Sequence, residues 1–178
     1  MPTIMRALVV FESMFGDTKA VADAIAMGLA ETMKVETVEV GGAPTVVDPA
    51  VDVMVVGGPT HAFGMSRTGT REDAVKQSDG AGVLSDKLGI REWLAAVTVD
   101  PQLQVAAFDT RVYKPHLPGS AAHAAERRLR RLGCTVFAPA KSFYVAGTKG
   151  PLVDGELDRA IGWGRSLTLR AARPGVPS

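Results

Sequence analysis

A short run of hydroxyl-bearing residues and glycine near the amino terminus could bind an anion. Segment 13–18 reads Ser-Met-Phe-Gly-Asp-Thr and joins an apolar stretch, predicted to be a buried strand, to an amphipathic helix. Backbone N–H groups and the positive end of the helix dipole meet at such a junction. Ser13 and Thr18 could add hydroxyl donors, and Gly16 allows the backbone to approach a phosphate closely. The candidate phosphate-binding residues are Ser13, Met14, Phe15, Gly16, Asp17 and Thr18.

The residues around this loop argue against larger phosphorylated ligands. A Walker A loop would need a lysine after its glycines, and a dinucleotide fold would need G-x-G-x-x-G, and the sequence has neither. A monophosphate therefore fits the loop better than a nucleoside triphosphate or a dinucleotide. The three histidines lack the spacing of a shared metal site, and there is no second cysteine, so we expect no metal. No G-x-S-x-G nucleophile element is present either.

The loop resembles the phosphate loop of the flavodoxin family, in which Ser/Thr-x-Thr-Gly-x-Thr follows the first strand. Ser13, Gly16 and Thr18 match this pattern, whereas Phe15 replaces the middle hydroxyl residue and Asp17 stands where Asn is common. The resemblance covers most of the chain, about 4–169, and implies FMN as the cofactor. Asp17 could lie beside the phosphate, whose charge is about −1.5 to −2, or it could cap the helix.

A second candidate loop, 57–65, follows the third predicted strand and begins Gly-Gly-Pro-Thr. The resemblance implies that this loop wraps around the isoalloxazine ring, and its start is similar to that of flavodoxin-like quinone reductases. Phe63 or His61 could cover a face of the ring. The peptide at Gly64 could hydrogen-bond the reduced flavin N5. The residues expected to bind the cofactor here are Pro59, Thr60, His61, Ala62, Phe63 and Gly64.

A third candidate loop follows the fourth predicted strand and begins Asp109-Thr110-Arg111, with Tyr113 close behind. The resemblance implies that these four residues hold the other edge of the flavin. Tyr113 is the candidate stacking residue, or it packs on the surface. Arg111 could neutralise the N1 region of the reduced flavin, or it could pair with a local carboxylate.

Apolar runs alternate with amphipathic stretches along the chain, and this pattern predicts strands alternating with helices. The strands are expected at 4–11, 35–40, 51–56, 103–108 and, as one broken strand, at 134–138 and 142–145. The helices are expected at 18–33, 90–97, 120–132 and, capped by Asp154, up to residue 170. We therefore predict an α/β fold with a flavodoxin-like, doubly wound, five-stranded parallel sheet in three α/β/α layers. A single domain would span 1–170, followed by a flexible tail at 171–178.

Composition sets limits on the class of protein. Of 178 residues, 46% are hydrophobic and 22% are charged, as in soluble globular domains. Lys and Arg number 20 against 19 Asp and Glu, so no net field favours nucleic acid or an anionic membrane. The single cysteine, Cys134, is expected to be a buried thiol. The amino terminus has neither a signal-peptide layout nor a membrane-length apolar run, so we expect a cytoplasmic protein.

Three functions agree with these features. The resemblance favours an FMN-binding electron carrier that works between redox partner proteins, a reductase and an acceptor, with no catalytic side chain of its own. The alternative is an FMN-dependent NAD(P)H or quinone reductase, which would pass electrons to a small-molecule oxidant. The polar segment 66–82 could cover the flavin in such an enzyme. The third is a flavodoxin-like binding module that has lost FMN. The sequence does not specify the oligomeric state.

Overall fold

Strands and helices alternate along the chain in this computed structural model, which describes residues 3–61, 64–77, 88–113 and 119–172. The strands are β1 (Arg6–Phe11), β2 (Lys34–Glu39), β3 (Val53–Pro59), β4 (Gln104–Val112), β5 (Thr135–Val136) and β6 (Lys141–Val145). The helices are α1 (Asp17–Leu29), α2 (Thr68–Gln77), α3 (Ile90–Ala96), α4 (Ala121–Arg131) and α5 (Glu156–Arg170). No helix in these described ranges is long and apolar enough to cross a bilayer.

The strands form one parallel sheet in the order β2-β1-β3-β4-β5, and β6 also pairs with β4. The doubly wound parallel sheet expected from the sequence is confirmed. Its fifth position is shared by two short strands, β5 and β6, as the broken pattern around Pro139 predicts. Phe11 pairs with Gly57, and Gly57 pairs with Phe108, so the carboxyl ends of the three central strands meet at one edge. The winding of the chain reverses between β1 and β3 at this edge.

Side chains of the central strands alternate between two apolar cores, one on each face of the sheet. Val9 and Phe11 of β1 point into the core shared with α1 and α5. Leu8 and Val10 point into the core shared with α3 and α4. The predicted buried thiol of Cys134 is confirmed in this second core. The expected three-layer arrangement follows from this alternation.

The two tryptophans are core residues, as their places on predicted helices indicate. Trp93 of α3 is 2% exposed and Trp163 of α5 is 9% exposed. The Trp163 ring packs edge-on against Phe108 and Phe143, with ring centroids 6.3 Å and 6.0 Å away. The aromatic rings of α5, β4 and β6 therefore fill the core on the α1/α5 face.

Helices α1 and α5 approach so closely that their backbones touch. A Cβ atom added at Gly28 would lie 2.2 Å from the carbonyl oxygen of Ile161. A Cβ atom added at Gly164 would lie 2.3 Å from the carbonyl oxygen of Ile25. Only glycine fits at either position, and this contact lets α5 pack against the carboxyl-terminal half of α1.

Three predicted features of the helices were wrong. Helix α1 ends at Leu29, before the expected residue 33. Helix α5 is preceded by Gly155, whose φ of 86° makes it the left-handed N-cap in place of Asp154. Part of the polar segment 66–82 forms α2, whose few buried side chains gave no apolar stripe to recognise. The remainder of that segment, 78–82, lies outside the described residues.

The described chain ends beside the sheet. The backbone of Ala172 exchanges two hydrogen bonds with the side-chain amide of Gln104, at N···O distances of 2.7 and 2.8 Å. Gln104 begins β4, so this contact lies at the edge opposite the three loops. The rest of the expected tail, 173–178, lies outside the described residues.

Candidate functional site

A cavity of about 290 Å³ opens at the carboxyl edge of the sheet. The segments that follow β1, β3 and β4 meet there, at the point where the winding reverses, which is where ligands bind in doubly wound sheets. Its volume lies near the lower end of the range for small-molecule sites, roughly 300–1,000 Å³. Nine residues proposed from the sequence line it: Met14, Phe15, Asp17, Thr18, Pro59, Thr60, His61, Thr110 and Arg111.

The hydroxyl group of Ser13 holds the backbone of the first loop by hydrogen bonds. Its side chain is fully buried, and its hydroxyl oxygen accepts hydrogen bonds from the N–H groups of Gly16 and Lys19, both at 3.2 Å. Gly16 is the N-cap of α1 and has a φ of 99°, a left-handed conformation that favours glycine. Ser13 and Gly16 therefore shape the loop, and neither lines the cavity.

The start of α1 faces the cavity with free backbone donors. The N–H groups of Asp17 and Thr18 meet no hydrogen-bond acceptor within the described part of the chain, as expected of the first turn of a helix. The hydroxyl oxygen of Thr18 lies 2.6 Å from that of Thr110, which ties the first loop to β4. These donors could bind an anionic group.

The carboxyl group of Asp17 also lies at this end of the cavity. It packs against the backbone of Gly150, where an added Cβ atom would lie 2.5 Å from Oδ2. Gly16 is the N-cap of α1, and no side-chain capping bond is formed, so the capping role considered for Asp17 is wrong. Partial burial raises the pKa of the Asp17 carboxyl.

The second loop turns tightly after β3. The backbones of His61 and Gly64 exchange two hydrogen bonds, at 2.7 and 2.9 Å. Two residues expected to bind the cofactor, Ala62 and the possible ring-covering Phe63, lie outside the described residues. The Nδ1 atom of His61 lies 3.0 Å from the hydroxyl oxygen of Thr70 in α2. Burial, together with the positive charge of a nearby arginine, lowers the pKa of His61. A neutral imidazole therefore forms part of the cavity wall, whereas Gly64 does not line it.

Asp109 joins three elements and does not line the cavity. Its side chain is fully buried, and Oδ2 accepts hydrogen bonds from the hydroxyls of Thr60 and Ser120 and from the N–H of Ala122. Thr60 in turn accepts a hydrogen bond from the N–H of Ala121 at 3.0 Å. The Asp109 carboxylate therefore fixes the β3 loop against the start of α4, and it acts on the cavity only by holding Thr60.

Tyr113 stands outside the cavity. Its side chain is 62% exposed and packs edge-on against Tyr144, with ring centroids 5.2 Å apart. The N–H of Tyr113 donates to the carbonyl oxygen of Val145, so the end of β4 remains attached to β6. In this conformation Tyr113 contacts another tyrosine at the surface, and the neighbouring Arg111 and Val112 provide the cavity wall.

Comparison with solved structures identifies the architecture. A flavodoxin from the domain Archaea aligns with 20% identity and a TM-score of 0.62, over 94% of this chain and 99% of the other. Oxidised Flavodoxin 1 from Bacillus cereus aligns with 16% identity and a TM-score of 0.68, over 94% and 99%. The chain has a flavodoxin-like fold. The flavodiiron core of a Synechocystis protein also aligns, at 15% identity and a TM-score of 0.60, over 93% of this chain and 36% of that one. No family model and no curated protein matches the sequence.

Several residues that the sequence did not single out also line the cavity. Thr70, Asp73 and Ala74 of α2 face the cavity; their polar segment was expected to be able to cover the flavin, but none of its residues was named as a site residue. Val145 at the end of β6 and Thr148 just beyond it also line the cavity. The position of β6 beside β4 was a usable signal, because the carboxyl ends of parallel strands share an edge.

Charged groups in the wall are of both signs. The carboxyl groups of Asp17 and Asp73 lie in the same cavity as the guanidinium of Arg111. Apolar surface comes from Met14, Phe15, Val112 and Val145. Within the described ranges, no group of three or more His, Cys, Asp or Glu side chains could hold a metal ion. The cavity thus combines backbone donors at one end with a mixed apolar and polar wall.

Proposed function

We propose that this chain binds FMN in the cavity and carries electrons between redox partners. The observation on which this proposal rests is the position of the cavity. It lies at the reversal of winding, with the free N–H groups at the start of α1 at one end and apolar side chains beside them. The fold shared with flavodoxins supports the same function.

The cavity residues fit the two parts of FMN. The N–H groups of Asp17 and Thr18, with the Thr18 hydroxyl, are suitable donors for the phosphate. Met14 and Phe15 offer apolar surface for the isoalloxazine ring, and Arg111 offers a positive charge that favours an anionic form of it. When bound, FMN would supply one-electron and hydride chemistry at the ring. The protein's part is to hold the cofactor and set its electrostatic surroundings.

A carrier of this kind needs partners rather than catalytic side chains. We infer that a reductase protein and an acceptor protein, or a small-molecule oxidant, exchange electrons at the open mouth of the cavity. The pKa of His61 is lowered, so its neutral ring would help form the ring pocket without adding charge. The cytoplasm, where thiols stay reduced, would suit the single free Cys134.

One observation favours a second candidate, an FMN-dependent NAD(P)H or quinone reductase. Helix α2 adds Thr70, Asp73 and Ala74 to the cavity, and this additional wall could shape room for a second ligand above the ring. Steady-state oxidation of NADPH in the presence of a quinone separates the two functions. A carrier should show almost no turnover without a reductase, whereas a reductase should turn over by itself.

The deciding experiment is a visible absorption titration of the purified protein with FMN. Bound flavin should shift the two flavin bands, and stepwise anaerobic reduction of the complex should then show whether electrons enter singly, as a carrier requires. Riboflavin provides the matched ligand without a phosphate. A colourless protein that leaves the FMN spectrum unchanged would overturn the carrier and the reductase, and would favour a flavodoxin-like binding module.

A further inference from the structure

Helix α2 is attached to the body of the protein through a buried arginine. Among the described side chains of α2, those of residues 68–74, only Arg71 and Ala74 are buried. The Arg71 side chain is 3% exposed and donates to the hydroxyl of Ser66 at 2.9 Å. It also forms a bidentate ion pair with Glu92 of α3 and donates a hydrogen bond to the hydroxyl of Thr68 at 3.4 Å.

The same guanidinium reaches the end of β1. A Cβ atom added at Gly89 would lie 2.3 Å from Nη1 of Arg71 and 2.6 Å from Oε1 of Glu12, so both side chains approach this glycine. Glu12 is 1% exposed, and its Oε1 atom accepts a hydrogen bond from the N–H of Ile90 at 2.8 Å. We call Glu12, Ser66, Arg71 and Glu92 the buried polar junction. It connects β1, α2 and α3.

The side chains flanking Arg71 on the helix point into the cavity. Thr70 and Asp73 line it, and Thr70 contacts His61 of the β3 loop. In the proposed function the phosphate lies at the start of α1, so we assign the ring end of the flavin to the β3 loop, which Thr70 contacts. Arg71 therefore connects the helix that carries this part of the cavity wall to α3 through Glu92.

We propose that Arg71 is a positioning residue that holds α2 against the cavity and thereby sets how tightly the ring end of a bound flavin is enclosed. The ligand in this inference rests on the proposed function, whereas the mechanical role of Arg71 does not. The proposal can therefore be tested both without flavin and with it.

The first test is hydrogen exchange of the flavin-free protein, followed by mass spectrometry. Arg71→Met keeps the aliphatic stem but removes every polar contact that the Arg71 guanidinium makes, so amides of α2 should exchange at least about tenfold faster. Arg67→Met is the matched control, because Arg67 is exposed just before α2. Amides of β1 and α5 should exchange at the wild-type rate in both variants. Wild-type exchange of α2 in Arg71→Met would overturn the proposal.

Arg71→Lys keeps the inference testable if the methionine variant does not fold. Lysine restores the positive charge but cannot bond Glu92 and Ser66 in the planar fork of a guanidinium. We expect exchange of α2 to be faster than in the wild type and slower than in Arg71→Met. Exchange at the wild-type rate in Arg71→Lys would contradict a role for the guanidinium geometry.

The second test compares dissociation constants for FMN and riboflavin. Because α2 lies at the ring end, Arg71→Met should weaken both ligands by the same factor, about tenfold. Thr18→Ala should weaken FMN alone, since its hydroxyl faces the phosphate end. A loss confined to FMN in Arg71→Met, or no loss, would overturn the inference. If the wild type binds neither flavin, the proposed function fails, and hydrogen exchange still decides the role of Arg71.

Discussion

Asp17 lines the cavity, and its own N–H is one of the donors that would hold a phosphate, so its carboxyl group lies within a few ångströms of that donor. A dianionic phosphate there would be attracted by the helix N-terminus and repelled by the ionised carboxylate. Burial already raises the pKa of Asp17, and the charge of a phosphate would raise it further. FMN binding should therefore take up a proton, with the affinity falling as the pH rises through the pKa of Asp17.

Asp17→Asn should tighten FMN binding at neutral pH. Removing one like charge a few ångströms from the phosphate corresponds to about 1 kcal/mol, or roughly fivefold in Kd. The dissociation constant for riboflavin should not change, because riboflavin has no phosphate. Calorimetric titrations with both ligands at several pH values test this. The difference between the wild type and Asp17→Asn should shrink as the pH falls below the pKa of Asp17.

Asp73→Asn is the appropriate control, since it removes a second carboxylate from the same cavity without altering the start of α1. It should affect the two flavins alike. An unchanged FMN dissociation constant in Asp17→Asn would place the phosphate elsewhere in the cavity.

The close contact between α1 and α5 depends on two glycines. Gly28 and Gly164 allow the helix backbones to touch, and α1 begins at the cavity. A methyl group at Gly164 would overlap the backbone of α1, where no flexible side chain can move aside. The helices would have to separate around this contact.

Gly164→Ala should destabilise the protein by about 1–3 kcal/mol, the usual cost of overpacking. Gly162→Ala is a matched control on the same helix, because a Cβ atom there meets nothing within 4 Å. The control should stabilise the protein by up to about 1 kcal/mol, as alanine favours the helix. Urea denaturation of both variants measures the difference. Equal stabilisation by the two alanines would contradict the close helix contact.

The elements that sequence reasoning found are those with an apolar pattern. Strands β1 and β3 and the first half of β4 are buried on both faces, so each contains a continuous apolar run. Helix α2 was missed because the side chain that anchors it is Arg71, which a hydrophobic pattern treats as exposed. No local rule distinguishes an arginine that pairs with a distant glutamate from one in water.

Local sequence patterns also do not specify which side chains of the site face the cavity. The segments that follow β1, β3 and β4 meet at the cavity, as the sequence predicts, because the carboxyl ends of parallel strands share one edge of the sheet. Which side chain of a loop faces the cavity depends on alternation along the strand. Alternation turns Thr110 toward Thr18 and Asp109 toward α4, and a one-residue change of register would exchange them.

Ionisable groups at several places make the stability of the whole molecule depend on pH. Hydrogen bonds from Arg159 lower the pKa of Glu156, so this carboxylate stabilises the fold above its usual pKa and loses that effect as the pH falls through its folded value. The pKa of Glu12 is shifted the opposite way. Burial raises it above 4.5 and outweighs the hydrogen bonds and the nearby Arg71 charge. One Glu12 oxygen also has no hydrogen-bond partner in the described part of the chain.

Glu12→Gln should therefore change the pH dependence of unfolding. A raised folded pKa means that the neutral acid favours the fold below pH 4.5, and that this contribution is lost as the pH rises toward the folded pKa. Glutamine keeps the shape and the acceptor for Ile90 but does not ionise. Compared with the wild type, the variant should gain stability as the pH rises from about 4 to about 8.

Urea denaturation at a series of pH values measures this difference, with Glu72→Gln on the exposed face of α2 as the control. The control should follow the wild type at every pH. If Glu12→Gln instead became less stable than the wild type as the pH rose, Glu12 would have to be an ionised partner of Arg71. In that case the attraction between the two charges, and not the cost of burial, would govern the junction between β1, α2 and α3.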